Sequence, residues 1–163
     1  MTVKFPDNGF RAAMVDSVNA AALPDSTTKA AGYVNGAEPS LAAIVKRFPR
    51  AKAHGIDVLG TGWRDASILD YEEGNPAYKN PQLVRDFITE RNTFAPDTAC
   101  IYCPETDLDE VEDYAEGLWH VNWVAHWGGR SLTGARTWRG NLIVATQLVH
   151  LAGYDVSDSL ESW

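Results

Sequence analysis

One stretch of the chain decides the fold: Ser67-Ile68-Leu69-Asp70-Tyr71-Glu72-Glu73-Gly74. Its apolar half predicts a short buried strand, and the Gly-Asn-Pro at residues 74–76 marks where that strand stops. Side chains alternate between the two faces of a strand, so we expect Asp70 and Glu72 to point one way and Tyr71 the other. Two carboxylates at the C-terminal end of a strand are typical of the catalytic end of an α/β barrel. They are also the pair of groups that glycosidic bond cleavage requires.

Length and composition describe one globular domain, residues 1–163. The chain is 45% hydrophobic and 22% charged, which is enough to bury a core. Its formal net charge of -8 argues against nucleic acid as a partner, because neutralising phosphates needs clustered Lys and Arg. No apolar run approaches the roughly 20 residues of a membrane span, and residues 1–10 lack the apolar core of a secretory signal. We therefore expect neither membrane insertion nor a secretory peptide.

Aromatic residues and cysteines give two further expectations. The six Trp and six Tyr are many for this length, and they suit either sugar-binding platforms or the core. Cys100 and Cys103 fall in an apolar strand pattern at an odd spacing, which puts their side chains on opposite faces. Two such ligands do not make a zinc site, so we predict buried free thiols.

Seven further strands are predicted around the opening stretch. They cover residues 12–16, 30–36, 56–59, 98–103, 118–127, 142–147 and 153–157. Three helices are predicted between them: one from Pro39-Ser40 to Pro49, one from Asn80-Pro81 to Pro96, and one from an Asp107 capping box to Gly117. Strands separated by helices predict a parallel sheet, and eight of them suggest a closed barrel. The usual (β/α)8 barrel runs to about 250 residues. We therefore predict an α/β fold, a trimmed TIM-type barrel with several crossover helices shortened to loops.

Acidic residues end three of the predicted strands. Asp16 follows strand one, Asp70 and Glu72 follow strand four, and Asp155 follows strand eight. Strands one and eight adjoin in a closed barrel and strand four lies across from them, so we expect these acids to share one mouth. Carboxylates held close together raise the pKa of at least one of them, which keeps a general acid protonated. For Asp16 or Asp155 alone, a turn or helix cap is the simpler explanation.

Other residues near the strand ends are weighed in the same way. Asn35 and Gln147 have amides that suit sugar hydroxyl groups, although each alone is better explained by a structural role. Of His126 and Trp127 we expect one to line the mouth and the other to pack behind it. Glu73 is expected to face away from Glu72. The acidic run at residues 107–113 is predicted to be a solvated helix face.

The order of these motifs resembles the glycoside hydrolase family 25 lysozymes and their barrel relatives from actinobacteria and their phages. The resemblance rests on MVDS at residues 14–17, LDYE at 69–72, IYC at 101–103, WVAHW at 123–127, ATQ at 145–147 and YDVS at 154–157. It spans nearly the whole chain, and the order and spacing of these short motifs carry it. It implies the same barrel fold and one shared site.

The family cleaves the β-1,4 bond between N-acetylmuramic acid and N-acetylglucosamine, so the implied partner is the peptidoglycan glycan strand. By this resemblance Glu72 is the general acid, and Asp70 stabilises the developing positive charge or orients the substrate's acetamido group. The remaining implied site residues line the cleft and contact substrate: Asp16, Asp155, Trp127, Gln147, Asn35 and Tyr102. No metal or organic cofactor is implied.

Two functions stay open on the sequence. The first is a muramidase, such as a phage lysin. The second is a non-catalytic module that binds glycan or forms part of a phage particle, because the chain is shorter than a typical family member and has no helix between strands three and four. The lack of a signal peptide fits a phage product, or a cytoplasmic protein that acts at the cell wall once released.

Overall fold

Eight strands form a closed barrel and follow one another around it in chain order. The computed structural model describes residues 11–127, 130–134 and 138–163. The strands are β1 Arg11–Asp16, β2 Lys29–Tyr33, β3 Lys52–Asp57, β4 Ile68–Asp70, β5 Cys100–Pro104, β6 Val121–Ala125, β7 Ile143–Leu151 and β8 Tyr154–Leu160. The predicted trimmed TIM-type barrel is confirmed. The strand at residues 56–59 was placed too late, since β3 ends at Asp57 and the next residues belong to a loop.

The helices lie on the outside of the barrel. They are α1 Leu41–Arg47, α2 Pro81–Phe94 and α3 Leu108–Tyr114, with short 3-10 helices at Ala20–Ala22 and Glu105–Asp107. The β3–β4 connection is a loop, as predicted. Asn80 caps α2, with its side-chain oxygen accepting the Leu83 N–H at 3.2 Å. No helix among the described residues is long and apolar enough to cross a membrane.

The capping box predicted at Asp107 is wrong. Asp107 makes no side-chain bond to α3, because it ends a 3-10 helix and already has a helical backbone, with φ -102° and ψ -1°. An N-cap side chain reaches the helix from an extended backbone instead. The acidic run is also not wholly solvated. Glu112 is buried and accepts the Asn122 amide at 2.7 Å and the Asn141 amide at 2.6 Å, which ties α3 to the barrel wall.

The last strand differs from the expected parallel sheet. Strands β1 to β7 run parallel to their neighbours in that series, whereas β8 is antiparallel to both β7 and β1. Leu151 pairs with Tyr154 across a two-residue turn in which Gly153 has φ 91°. A hairpin needs only such a turn, while a parallel crossover needs a dozen residues or more. The reversal therefore lets a short chain close its barrel without a seventh crossover.

The barrel interior is filled by side chains from alternate strand positions. Trp123 is its largest member; its indole N–H donates to Ser157 at 3.0 Å, and its ring lies 4.8 Å from that of Tyr102. Trp163 packs 6.2 Å from Trp123 and stacks on His54 at the end where β3 begins. The prediction for the cysteines is confirmed. Both thiols are free and buried, and burial raises the pKa of each.

The outer face of the barrel packs against the helices. Tyr71 is fully buried beside Phe87 of α2, so it does point away from the acids that flank it. Gly32 lies under α1, where an added Cβ would come within 2.7 Å of Ile44 Cδ1. The missing side chain therefore allows α1 to pack directly on β2. These contacts fix the positions of the strands, and the C-terminal ends of these strands carry the site.

Candidate active site

The C-terminal ends of the parallel strands form a mouth that contains the predicted acids. Asp16 ends β1, Asp70 ends β4, and Glu72 follows two residues later. Together with Asp155 they line a cavity of about 100 Å³. The other lining residues are Tyr33, Ile56, Tyr102, Trp123, Trp127 and Gln147. The structure thus gathers every predicted site residue at one mouth except Asn35.

Asp155 lies at the mouth for a different reason from the one expected. It lies near the start of β8, and because β8 is antiparallel, that start is at the same end of the barrel as the last residue of β1. Its cross-strand partners are Asp16 on one side and His150 on the other. His150 Nδ1 contacts the Asp155 carboxylate directly. The site therefore carries an imidazole that the sequence pattern did not single out.

Asp16 is one of the two buried acids of the mouth, the other being Asp70. Asp16 is only 4% exposed, and its Oδ1 atom has no hydrogen-bond partner among the described residues. Burial raises the pKa of this carboxyl well above its usual range, and the charges of Asp155, Asp70 and Glu72 raise it further. Desolvation and like charges both favour the neutral form of an acid. Asp16 is thus a buried carboxyl that resists ionisation.

Asp70 and Glu72 are neighbours at the mouth, and the pKa of each depends on the other. Asp70 is 3% exposed, and burial raises its pKa to about 8, with the charge of Glu72 raising it further and a hydrogen bond to Asn75 lowering it. Burial also raises the pKa of Glu72, and the charge of Asp155 raises it further, while Tyr102 and Asp70 beside it lower it. Burial and the charge of Glu72 thus favour the protonated form of Asp70 at neutral pH.

Tyr102 and Gln147 support this pair from the neighbouring wall. The Tyr102 hydroxyl donates its proton to Gln147 Oε1 and lies beside Glu72 in the mouth. Burial raises the pKa of the phenols of Tyr102 and Tyr33, and the nearby acids raise both further. Both hydroxyl groups thus stay protonated across the pH range in which proteins work.

Trp127 is the predicted aromatic residue that lines the mouth. It is 54% exposed, so its ring is open to a ligand. His126 lies behind it and pairs through Nδ1 with Glu105. The expectation that one of these two residues would face the mouth is confirmed. Glu105 was not anticipated, because it belongs to the 3-10 helix that follows β5.

Asn35 is engaged elsewhere. Its Nδ2 donates to Asp57 Oδ1 at 2.7 Å, and its Oδ1 accepts the Val58 N–H at 3.0 Å. Asp57 is fully buried and also accepts the N–H groups of Leu59 at 2.9 Å and Gly60 at 2.8 Å. One carboxylate thus holds the β3–β4 loop in place where a helix is missing. A direct contact between Asn35 and substrate stays a prediction.

A larger groove opens beside the mouth, with a volume of about 750 Å³. We call it the side groove; its lining comprises Val18, Tyr33, residues 35–38, residues 58–59, Asp70 and residues 72–76. It shares Tyr33, Asp70 and Glu72 with the mouth cavity, so the two are continuous. Glu73 is exposed and lines this groove, on the solvent side of the pair.

The arrangement can hold and transfer a proton at an open cleft. Asp70 is buried and its raised pKa favours the protonated form, Glu72 is half-buried and lines the cleft, and the exposed ring of Trp127 lies on the rim. The chemistry available from these side chains is acid–base chemistry on a polar ligand. Among the described residues, no three His, Cys, Asp or Glu side chains are placed so as to hold a metal ion.

Comparisons with known proteins place the fold. A scan against models of protein families finds no match, and a search of curated proteins finds none. Among solved structures, the chain is similar to the modular autolysin LytC from Streptococcus pneumoniae, with a TM-score of 0.54 and 14% sequence identity. The similarity covers 91% of this chain and 46% of that chain. It shows a common barrel fold, and this chain spans about half the length of the autolysin.

Proposed function

We propose that the protein is a glycoside hydrolase that cleaves the glycan strands of peptidoglycan. The observation that carries this proposal is the placement of Asp70 and Glu72 side by side at a barrel mouth that also holds Asp16 and Asp155. Cleavage of a glycosidic bond requires one carboxylic acid to protonate the leaving oxygen and a second group to support the developing positive charge. The similarity in fold to an autolysin supports the choice of substrate.

Glu72 is the general acid in this proposal. It is half-buried and lines both the mouth cavity and the side groove, so it can reach a bound glycosidic oxygen. Asp70 lies beside it, and its raised pKa favours its protonated form. Substrate that covers the mouth excludes water and favours the neutral form of Glu72, so a proton moves from Asp70 to Glu72 and on to the leaving oxygen as the glycosidic bond breaks. Asp70 is left ionised where positive charge develops on the sugar, water then adds to the anomeric carbon, and the proton that the water releases returns to the pair.

The remaining residues of the mouth bind and orient the sugar. Trp127 offers an exposed ring to the apolar face of a pyranose. Tyr102 and Gln147, joined to each other by a hydrogen bond, line the mouth beside Glu72 and present a hydroxyl and an amide to the sugar. The charge of Asp155 favours the protonated form of Glu72.

A cell-wall assay tests this proposal. Wild-type protein is expected to clear suspensions of purified actinobacterial cell walls and to release new reducing ends, whereas Glu72→Gln loses at least about a hundredfold in rate because it cannot donate the proton. Glu90→Gln is the matched control, since Glu90 is exposed on α2. Equal and negligible clearing by wild type and Glu72→Gln, with no reducing ends, would end the enzymatic proposal.

A second candidate is a barrel that binds glycan without cleaving it, as part of a cell-wall or phage structure. The observation in its favour is the small mouth cavity of about 100 Å³, against the roughly 300–1,000 Å³ of ordinary ligand pockets. The side groove must then supply most of the contact with a glycan. Saturable binding to cell walls without release of reducing ends would favour this candidate.

A further inference from the structure

The side groove is continuous with the mouth, so a glycan bound at Glu72 extends into it. Its walls have an apolar component, because Val18, Leu59 and Pro76 are exposed along it. Such side chains suit the C–H faces of pyranose rings. The groove of about 750 Å³ is large enough for contact with sugars beyond the one at the mouth. Its chemistry therefore bears on which glycan the protein selects.

The charges of the side groove have a single sign. Its lining holds four acidic residues and, among the described residues, no Lys, Arg or His; the acids are Glu38, Asp70, Glu72 and Glu73. Glu38 and Glu73 are exposed, and neither forms an ion pair within the described part of the chain. A groove lined by one sign of charge concentrates ligands of the opposite sign and repels those of the same sign.

An independent observation also points to a donor ligand. Asp70 lines the groove and is 3% exposed, and its Oδ1 atom has no hydrogen-bond partner among the described residues. A buried acceptor without a partner is costly, so a ligand that brings an N–H or O–H to this atom gains a bond without displacing one. The buried oxygen of Asp70 and the exposed carboxylates of Glu38 and Glu73 thus both favour a ligand that carries hydrogen-bond donors.

We propose that the side groove binds sugars that carry a free, protonated amino group, in preference to N-acetylated or acidic sugars. On a peptidoglycan strand these are the de-N-acetylated glucosamine units. The ammonium group lies between the exposed carboxylates of Glu38 and Glu73, with its sugar packed on the apolar wall. The inference rests on the proposed function for its ligand, a glycan strand, and adds the class of sugar that the site selects.

Calorimetric titration of the full chain tests this preference with two β-1,4-linked tetramers, one of glucosamine and one of N-acetylglucosamine. At about 10 mM ionic strength, glucosamine tetramer is expected to bind roughly five- to tenfold more tightly, because two exposed charge pairs each contribute a modest amount. At about 1 M the preference should fall to less than twofold. Glu38→Gln/Glu73→Gln should lose it, while the exposed control pair Glu90→Gln/Glu116→Gln should keep it.

The outcomes separate this inference from the proposed function. Equal or tighter binding of the N-acetylated tetramer, a preference that survives in Glu38→Gln/Glu73→Gln, or no binding of either tetramer would overturn the inference. Tight binding of a short lysine peptide with no preference between the tetramers would also overturn it and assign the groove to peptide amines. Release of reducing ends from cell walls is measured separately, so activity without a glucosamine preference refutes only the inference. A preference without activity refutes only the proposed function.

Discussion

Asp16 and Asp155 lie directly opposite each other on the antiparallel ladder between β1 and β8. Side chains opposite each other on such a ladder are close neighbours, and like charges in that position are destabilising. The charge of Asp155 is the largest contribution after burial to the raised pKa of Asp16. The protein therefore accepts a local cost in stability at the mouth.

Asp155→Asn should relieve that cost. We expect the pKa of Asp16 to fall, and the free energy of unfolding at pH 7 to rise by about 0.5–1 kcal/mol. Urea denaturation measures the second effect. Asp65→Asn is the control, because Asp65 is exposed in the β3–β4 loop. A less stable Asp155→Asn would mean that its contact with His150 outweighs the repulsion.

Asp70 should make stability depend on pH. Its pKa is raised to about 8 in the folded state, so between roughly pH 4 and pH 8 the folded protein binds more protons than the unfolded chain. The free energy of unfolding must then fall as the pH rises through this window. Asp70→Asn should flatten the decline and be the more stable protein at pH 8, by an amount on the order of a few kcal/mol. Urea denaturation at pH 5 and pH 8 compares the slopes, and identical slopes would contradict the prediction.

Trp127 and Trp119 form a matched pair for testing the aromatic rim. They are 54% and 46% exposed and flank opposite ends of β6, with only Trp127 at the mouth. Trp127→Ala should weaken binding to cell-wall glycan by about tenfold, and Trp119→Ala should leave it unchanged. Both should unfold at nearly the same urea concentration as wild type, since neither ring is buried. Equal losses of binding in the two variants would show that the glycan does not bind against Trp127 at the mouth.

Asp57 should be important for stability. Asp57→Ala removes the acceptor for several backbone N–H groups and for Asn35, and we expect it to lower the free energy of unfolding by about 3 kcal/mol. Asp65→Ala, in the same loop but exposed, should change it by less than about 0.5 kcal/mol. Thermal unfolding of both variants checks the difference. A small effect of Asp57→Ala would show that water can replace the carboxylate.

The fold was predictable because its signals are local. Alternation of polar and apolar residues places Asp70 and Tyr71 on opposite faces, and punctuation by Gly and Pro marks the strand ends. The direction of β8 left no such signal, since an antiparallel strand shows the same alternation as a parallel one. Asp155 was therefore predicted at the correct mouth, but as the end of a parallel strand, whereas it lies near the start of an antiparallel one.

The supporting residues were not predictable for a different reason. Asp57 bonds mainly to backbone N–H groups, which every residue carries, so its role leaves no pattern in the side chains. His150 contacts Asp155 across the β7–β8 hairpin, and this hairpin exists because β8 is antiparallel to β7. Glu112 looked like one more acid on an acidic helix, and only its contacts with Asn122 and Asn141 reveal it as buried.

The antiparallel direction of β8 also determines at which end of the barrel the first residue of β1 and the last residue of β8 lie. Arg11, at the start of β1, pairs with Leu160, at the end of β8, on the face away from the acids. In a barrel whose eight strands all run parallel, the last strand would end at the mouth instead. A segment attached at Arg11 or Leu160 thus starts behind the cleft, at the end of the barrel away from the acids.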